Sequence, residues 1–126
     1  MVSHYAIVPA AGTGARFGGE TPKQYQLLAG RPLIYYSLAA LCRQPCIERV
    51  WVVLAADDIW WRQHDWTSLG YKLETVFCGG ATRAESVANG LRAAATAADD
   101  DDWVLVHDAA RPCLRSEEHT SELASP

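Results

Sequence analysis

Short apolar runs alternate with helical patterns along the chain. Four such runs predict β-strands: His4–Pro9, Arg49–Ala55, Leu73–Cys78 and Trp103–His107. The run Arg49–Ala55 is apolar almost throughout, which is typical of a parallel strand whose two faces are both covered. We therefore expect the strands to share one sheet with helices on each side.

Three segments between these strands predict helices. Pro32 opens a helix whose apolar face carries Ile34, Leu38, Leu41 and Cys42, and Pro45 stops it. The segment Asp57–Trp66 predicts a short helix behind an acidic cap. Thr82 and Glu85 have the spacing of a capping box, and an apolar stripe follows at Ala84, Val87, Ala88, Leu91, Ala94 and Ala95. This alternation predicts an open α/β sheet, on which ligands bind at the carboxyl ends of the strands.

Composition excludes several classes of partner. The chain has 126 residues, the size of one domain, and a formal net charge of −4. Because it has no basic field, we expect no nucleic-acid partner. It has no apolar run long enough to span a membrane, and from its first residues we expect no secretory signal. The four cysteines include no metal-binding spacing, so we interpret them as buried free thiols in a reducing compartment, the cytoplasm.

Three segments at predicted strand ends carry candidate chemistry. The first, Pro9–Lys23, is rich in glycine, whose amides can line an anion site, and Arg16 and Lys23 add positive charge. A tight surface turn with a solvated lysine is an equally good interpretation of the glycines alone. The spacing fits neither the Walker A motif nor the dinucleotide-binding fingerprint.

The other two segments are Gly79–Ser86 and Asp108–Arg111. A glycine pair before a helix offers free amides to an anion, although a plain capping box with a solvated Arg83 explains the same residues. Asp108 is a candidate Mg²⁺ ligand, whereas a lone aspartate in this place is more often a turn residue. The guanidinium of Arg111 nearby favours the metal and phosphate interpretation.

Read together, these segments resemble one family. The motifs P-A-A-G-x-G, P-K-Q-Y, G-G-x-x-R-x-x-S-V and H-D-A-A-R-P occur in the order found in 2-C-methyl-D-erythritol 4-phosphate cytidylyltransferases. The resemblance runs from about Ala6 to Leu114 and covers the N-terminal half of that family. It implies a Rossmann-like nucleotidyltransferase fold, here a truncated three-layer α/β/α arrangement with a mostly parallel sheet. It also implies transfer of CMP from CTP to methylerythritol phosphate, with Mg²⁺ as cofactor and pyrophosphate as product.

The resemblance assigns roles to individual residues. Arg16 and Lys23 would stabilise the transition state, and Asp108 would hold Mg²⁺. The residues implied in nucleotide binding are Pro9, Ala10, Ala11, Gly12, Gly80, Arg83, Ser86, Ala109 and Arg111. His107 has nothing to deprotonate in such a reaction, and we interpret it as structural.

The family pattern stops after Leu114. We therefore expect residues 1–114 to be the N-terminal part of a nucleotidyltransferase domain, and residues 115–126 (RSEEHTSELASP) to be a non-native tail. The resemblance implies a homodimer for the full-length family, but we expect this chain neither to dimerise nor to catalyse transfer. Alternatives are a ribitol-phosphate cytidylyltransferase, whose acceptor is another sugar-alcohol phosphate, a non-catalytic nucleotide-binding module, and a purely structural α/β domain.

Overall fold

The computed structural model describes residues 4–11, 21–95 and 103–107, together with the backbone of residues 123–124. In chain order its regular elements are β1 (His4–Pro9), β2 (Leu27–Leu28), β3 (Arg31–Pro32), α1 (Leu33–Cys42), β4 (Ile47–Val53), β5 (Leu73–Val76), α2 (Arg83–Ala94), β6 (Trp103–Val106) and β7 (Leu123–Ala124). All four predicted strands are present, and each predicted range agrees with the observed one to within two residues at either end.

The main sheet has the strand order β5-β4-β1-β6-β7. The pairs β5–β4, β4–β1 and β1–β6 are parallel, while β7 pairs antiparallel with β6. Strands β2 and β3 form a separate short hairpin. The prediction of a mostly parallel sheet is confirmed, and the carboxyl ends of its four parallel strands lie along one edge.

Both faces of the sheet are covered, because consecutive residues of β4 point to opposite sides. Val50 and Val52 belong to the core that includes Ile34, Leu38 and Leu41 of α1. Trp51 and Val53 belong to a second core that includes Ala94 of α2. One helix therefore lies on each face, which confirms the predicted three layers.

Helix α2 begins at the predicted Thr82 cap, although only the threonine half of the capping box forms and the buried face differs from the predicted stripe. The hydroxyl of Thr82 accepts a hydrogen bond from the amide of Glu85 at 3.1 Å. The buried positions are Ser86, Gly90 and Ala94, whereas Ala84 and Ala95 are exposed. The predicted apolar stripe is therefore wrong at Ala84 and Ala95, because α2 packs on the sheet through the small residues Ser86, Gly90 and Ala94.

The prediction of a short helix over Asp57–Trp66 is wrong. This region contains a single 3₁₀ turn instead, Trp61–Gln63, and a second one, Thr67–Leu69, follows directly after it. The carboxylate of Asp58 accepts hydrogen bonds from the amides of Trp60 and Trp61, at 2.9 and 2.8 Å. These side-chain bonds satisfy the first amides of a tight turn, and His64 then returns to extended backbone.

The cysteine prediction is wrong in one respect. Cys42, Cys46 and Cys78 are free thiols as expected, but Cys46 and Cys78 are exposed and Cys42 is only half-buried. Burial raises the pKa of Cys42, and the nearby Lys72 opposes this shift in part. Cys113 lies outside the described residues.

Neither helix in the described part of the chain has the length and apolar character needed to cross a bilayer.

Candidate functional site

The carboxyl edge of the sheet brings three strand ends side by side. Beyond β1, the amide of Ala10 donates to Val53 O at 2.8 Å, and beyond β5 the amide of Gly79 donates to Leu54 O at 2.9 Å. At the end of β6 the amide of His107 donates to Ile7 O at 3.0 Å. The segments that follow β1, β5 and β6 therefore start from one edge, as the site prediction requires.

The loops after β1 and β5 touch each other at Ala11 and Gly79. A Cβ atom added at Gly79 would collide with the Cβ of Ala11 and lie 3.0 Å from Leu54 O. Only glycine permits this close approach of the two loops. Gly79, the first residue of the predicted glycine pair, thus allows the Pro9–Ala11 segment to lie directly against the loop that precedes α2.

Side chains of α2 fix the loop that precedes it. The amide of Gly80 donates to the hydroxyl of Ser86 at 3.1 Å, and the amide of Ala81 donates to the carboxylate of Glu85 at 2.9 Å. The side-chain amide of Asn89 donates to Cys78 O at 2.7 Å. Ser86 is 1% exposed, so its hydroxyl lies inside the loop rather than on the surface. The loop is therefore held in one shape before any ligand arrives.

Lys23 opens a 3₁₀ turn (Lys23–Tyr25) and its side chain is exposed. The next residue, Gln24, is only 3% exposed, and its side-chain amide donates to Ala10 O at 2.7 Å. The turn that carries Lys23 is thereby attached to the main chain just beyond β1. Sequence reasoning missed Gln24, although it stands inside the P-K-Q-Y motif that drew attention to Lys23.

Tyr25 anchors the same turn on its other side. Its hydroxyl donates to the carboxylate of Asp58 at 2.7 Å, and its ring stacks against Trp60 and His64. Burial, and then the hydrogen bond to Asp58, raise the pKa of Tyr25 far above its usual range. The phenol is therefore protonated at neutral pH, where it donates to Asp58.

The structure places some of the predicted site residues and not others. Those it places at the carboxyl edge or in the adjoining turns are Pro9, Ala10, Ala11, Lys23, Gly80, Arg83 and Ser86. Of these, Arg83 is exposed at the first position of α2. Gly12, Arg16, Asp108, Ala109 and Arg111 lie outside the described residues, so their predicted roles stay predictions. His107 is buried at the end of β6, where a structural histidine is expected.

The predicted magnesium site would lie at the same edge of the sheet. Residues 4–11, 21–95 and 103–107 contain no group of three or more side chains that could together hold a metal ion. A magnesium ion coordinated by one or two carboxylates, substrate phosphates and water needs no such group. Asp108, the predicted magnesium ligand, lies outside the described residues, so this site stays a prediction.

Comparisons with known proteins agree on one family. The model of the family described as "IspD: 2-C-methyl-D-erythritol 4-phosphate cytidylyltransferase" matches residues 4–125. A 2-C-methyl-D-erythritol 4-phosphate cytidylyltransferase of Dechloromonas aromatica is 75% identical over 114 residues, which are 90% of this chain and 50% of that protein. The chain thus spans about half the length of the curated relatives it matches.

Solved structures extend this likeness to the fold. A crystal structure of 4-diphosphocytidyl-2C-methyl-D-erythritol synthase superposes with a TM-score of 0.76 at 28% identity, covering 95% of this chain and 52% of the other. The 2-C-methyl-D-erythritol 4-phosphate cytidylyltransferase of Francisella tularensis superposes with a TM-score of 0.66 at 31% identity, covering 92% and 48%. The chain belongs to the 2-C-methyl-D-erythritol 4-phosphate cytidylyltransferase family, whose members are nucleotidyltransferases.

Proposed function

We propose that the protein to which this chain belongs transfers CMP from CTP to 2-C-methyl-D-erythritol 4-phosphate and releases pyrophosphate. The names of its relatives support this reaction, and one geometric observation supports it for this sequence. That observation is the hydrogen bond from Gln24 to Ala10 O, which attaches the turn that contains Lys23 to the main chain just beyond β1.

In this proposal the nucleotide binds along the carboxyl edge of the sheet. Main-chain atoms of Pro9, Ala10, Ala11 and Gly12 line the ribose and base. Gly80 helps to hold the cytosine, and the buried Ser86 helps through the hydrogen bond by which its hydroxyl fixes Gly80. Arg83 supports the base pocket, Ala109 contacts the ribose, and Arg111 braces its loop. The preformed hydrogen bonds of the Gly79–Thr82 loop favour this arrangement, since a fixed pocket loses less entropy on binding.

Chemistry in this site is a direct displacement. A phosphate oxygen of the acceptor forms a bond to the α-phosphorus of CTP, and the bond from that phosphorus to the bridging oxygen breaks. Pyrophosphate leaves with the electron pair, so no covalent enzyme intermediate is needed. Positioning of the two anions and stabilisation of the developing charge supply the rate.

In the proposal Lys23 and Arg16 contact the phosphates of bound CTP and also stabilise the further charge that develops during transfer. One well-placed donor is worth about 10²–10³ in rate when it meets charge that develops only in the transition state. Magnesium, held by Asp108 and the phosphates, would neutralise charge on the triphosphate and orient it.

The free thiols of Cys42, Cys46 and Cys78 are in keeping with a reducing compartment, and we place the reaction in the cytoplasm. For the full-length protein we propose a homodimer.

The two lysines of this chain provide a matched test of the nucleotide site. Lys23 lies at the carboxyl edge, whereas Lys72 precedes β5 at the opposite edge and donates to Gln44 O at 3.0 Å. We expect Lys23→Ala to weaken binding of CTP with Mg²⁺ about tenfold, equivalent to ~1.4 kcal/mol, because a phosphate loses its cation. Lys72→Ala should leave the affinity unchanged.

The measurement is a titration followed by amide chemical shifts, which detects even millimolar binding. CTP should shift the amides of Ala10, Ala11 and Gly80, and ATP should bind more weakly than CTP. If CTP shifts no amide at the carboxyl edge, or if both lysine variants lose affinity equally, the proposed function is wrong. Thermal unfolding of each variant confirms that it is folded.

A further inference from the structure

We propose that Gln24 is a positioning residue that sets the place of Lys23 relative to the loop after β1. This inference rests on the proposed function, because it concerns the cation of that same nucleotide site. Gln24 itself does not touch the nucleotide in this view. It acts through Lys23 and through the main chain at Ala10.

Gln24 is buried and hydrogen-bonded, although its place in the chain favours exposure. An uncharged amide side chain next to an exposed lysine on a short turn would ordinarily lie in solvent. Gln24 is instead 3% exposed, and its Nε2 donates to Ala10 O at 2.7 Å. The amide of Ala10 is also engaged, since it donates to Val53 O at 2.8 Å. Both polar main-chain groups of Ala10 are therefore fixed, one by β4 and one by Gln24.

Backbone hydrogen bonds hold Lys23 and Gln24 in the same turn. The amide of Tyr25 donates to Pro22 O at 2.9 Å, and the amide of Gln26 donates to Lys23 O at 3.1 Å. These bonds close a compact turn around Lys23. A displacement of Gln24 would therefore displace Lys23 as well.

A second anchor prevents the turn from swinging about the bond between Gln24 and Ala10. The hydroxyl of Tyr25 donates to one oxygen of Asp58, and the other oxygen of Asp58 accepts the amides of Trp60 and Trp61. The turn is thus fixed between the end of β1 on one side and the 58–61 segment on the other. Only the flexible stem of the lysine is left to be ordered when a phosphate binds.

The consequence is a coupling between residues 23 and 24 in nucleotide affinity. If Gln24 acts through Lys23, its loss matters only while the lysine is present. A residue that merely stabilises the fold would instead weaken binding by the same factor with or without the lysine. A double-mutant cycle separates these two cases.

The experiment uses Gln24→Met, which keeps the length of the side chain and removes the donor. The probe is CTP with Mg²⁺, titrated into the wild-type chain, Gln24→Met, Lys23→Ala and the double variant. We expect Gln24→Met to weaken binding about tenfold in the presence of Lys23 and less than about twofold in its absence. Gln26→Ala is the matched control, because Gln26 belongs to the same segment but its side chain is exposed; its affinity should equal that of the wild type.

Each result has one interpretation. Equal losses in both lysine backgrounds, or no loss at all, overturn the positioning role while leaving the proposed function standing. Failure of the wild-type chain to bind CTP overturns the proposed function and the inference with it. Should Gln24→Met not fold, Gln24→Leu replaces it in the same cycle, because a shorter apolar side chain also removes the donor to Ala10 O.

Discussion

Among single residues, Gly90 shows most clearly how packing overrides local preference. Glycine inside a helix costs about 1 kcal/mol relative to alanine, so replacing it would ordinarily stabilise α2. Here a Cβ at residue 90 would lie 2.8 Å from Val53 Cγ2 and 3.0 Å from Ile7 Cγ2, both in strands of the sheet. The helix can therefore approach the sheet this closely only because residue 90 has no side chain.

We expect Gly90→Ala to lower the free energy of unfolding by about 1–3 kcal/mol, since β-branched side chains in a packed core cannot move aside cheaply. Urea denaturation measures this change. Arg92→Ala on the exposed face of the same helix should change stability by less than about 0.5 kcal/mol. A more stable Gly90→Ala protein would contradict the packing argument.

Sequence alone predicts individual residues when their chemistry is visible in the side chain. Lys23 could be identified because a cation beside a glycine loop suggests phosphate binding. Gln24 could not, because an uncharged amide next to it indicates no chemistry. Its importance depends on Ala10 O lying within 2.7 Å, a distance that only the folded chain determines.

At the scale of elements, the start of α2 was predictable and the 57–66 segment was not. Thr82 and Glu85 form a local pattern, whose hydrogen bond needs no distant partner. The carboxylate of Glu85 reaches Ala81 rather than Thr82, so the box also ties down the preceding loop. The 57–66 segment is held by side-chain contacts that helical periodicity does not predict: Trp61 and Trp66 stack with ring centroids 3.9 Å apart, and the indole of Trp66 donates to Trp61 O. Asp58 also accepts a hydrogen bond from Tyr25, which is 33 residues away in the chain.

The cap of α2 provides a test at this scale. Thr82→Ala should cost about 1 kcal/mol of stability, the usual value of an N-cap, because the amide of Glu85 loses its acceptor. Thr82→Ser keeps the hydroxyl and should retain most of that stability. Urea denaturation of the two variants provides the comparison, and equal losses would show that the hydroxyl does not stabilise the helix.

For the whole molecule, the class of the sheet was predictable but the order of its strands was not. A strand that is apolar on both sides indicates a parallel, covered sheet, and β4 has residues in both cores. Periodicity along one strand contains no information about which strand lies beside it, so the order β5-β4-β1-β6 had to come from the structure. The expectation that residues 115–126 are not native stays a prediction.

This order predicts a gradient of local stability across the sheet. Strands β1 and β4 each pair on both sides, whereas β5 pairs only with β4 among the described strands. Hydrogen exchange followed by amide resonances should therefore be slowest at Ile7 and Val52, both fully buried, and faster along β5. Faster exchange in β1 than in β5 would contradict the observed order.

The close approach of Ala11 to Gly79 also has a practical consequence for enzyme engineering. The two residues are 68 positions apart by their numbering, yet neither loop can receive a larger side chain at this point unless the other gives way. Grafting one loop that brings a larger residue to position 11 or 79 would therefore create a steric conflict. A successful chimera would have to exchange both loops together.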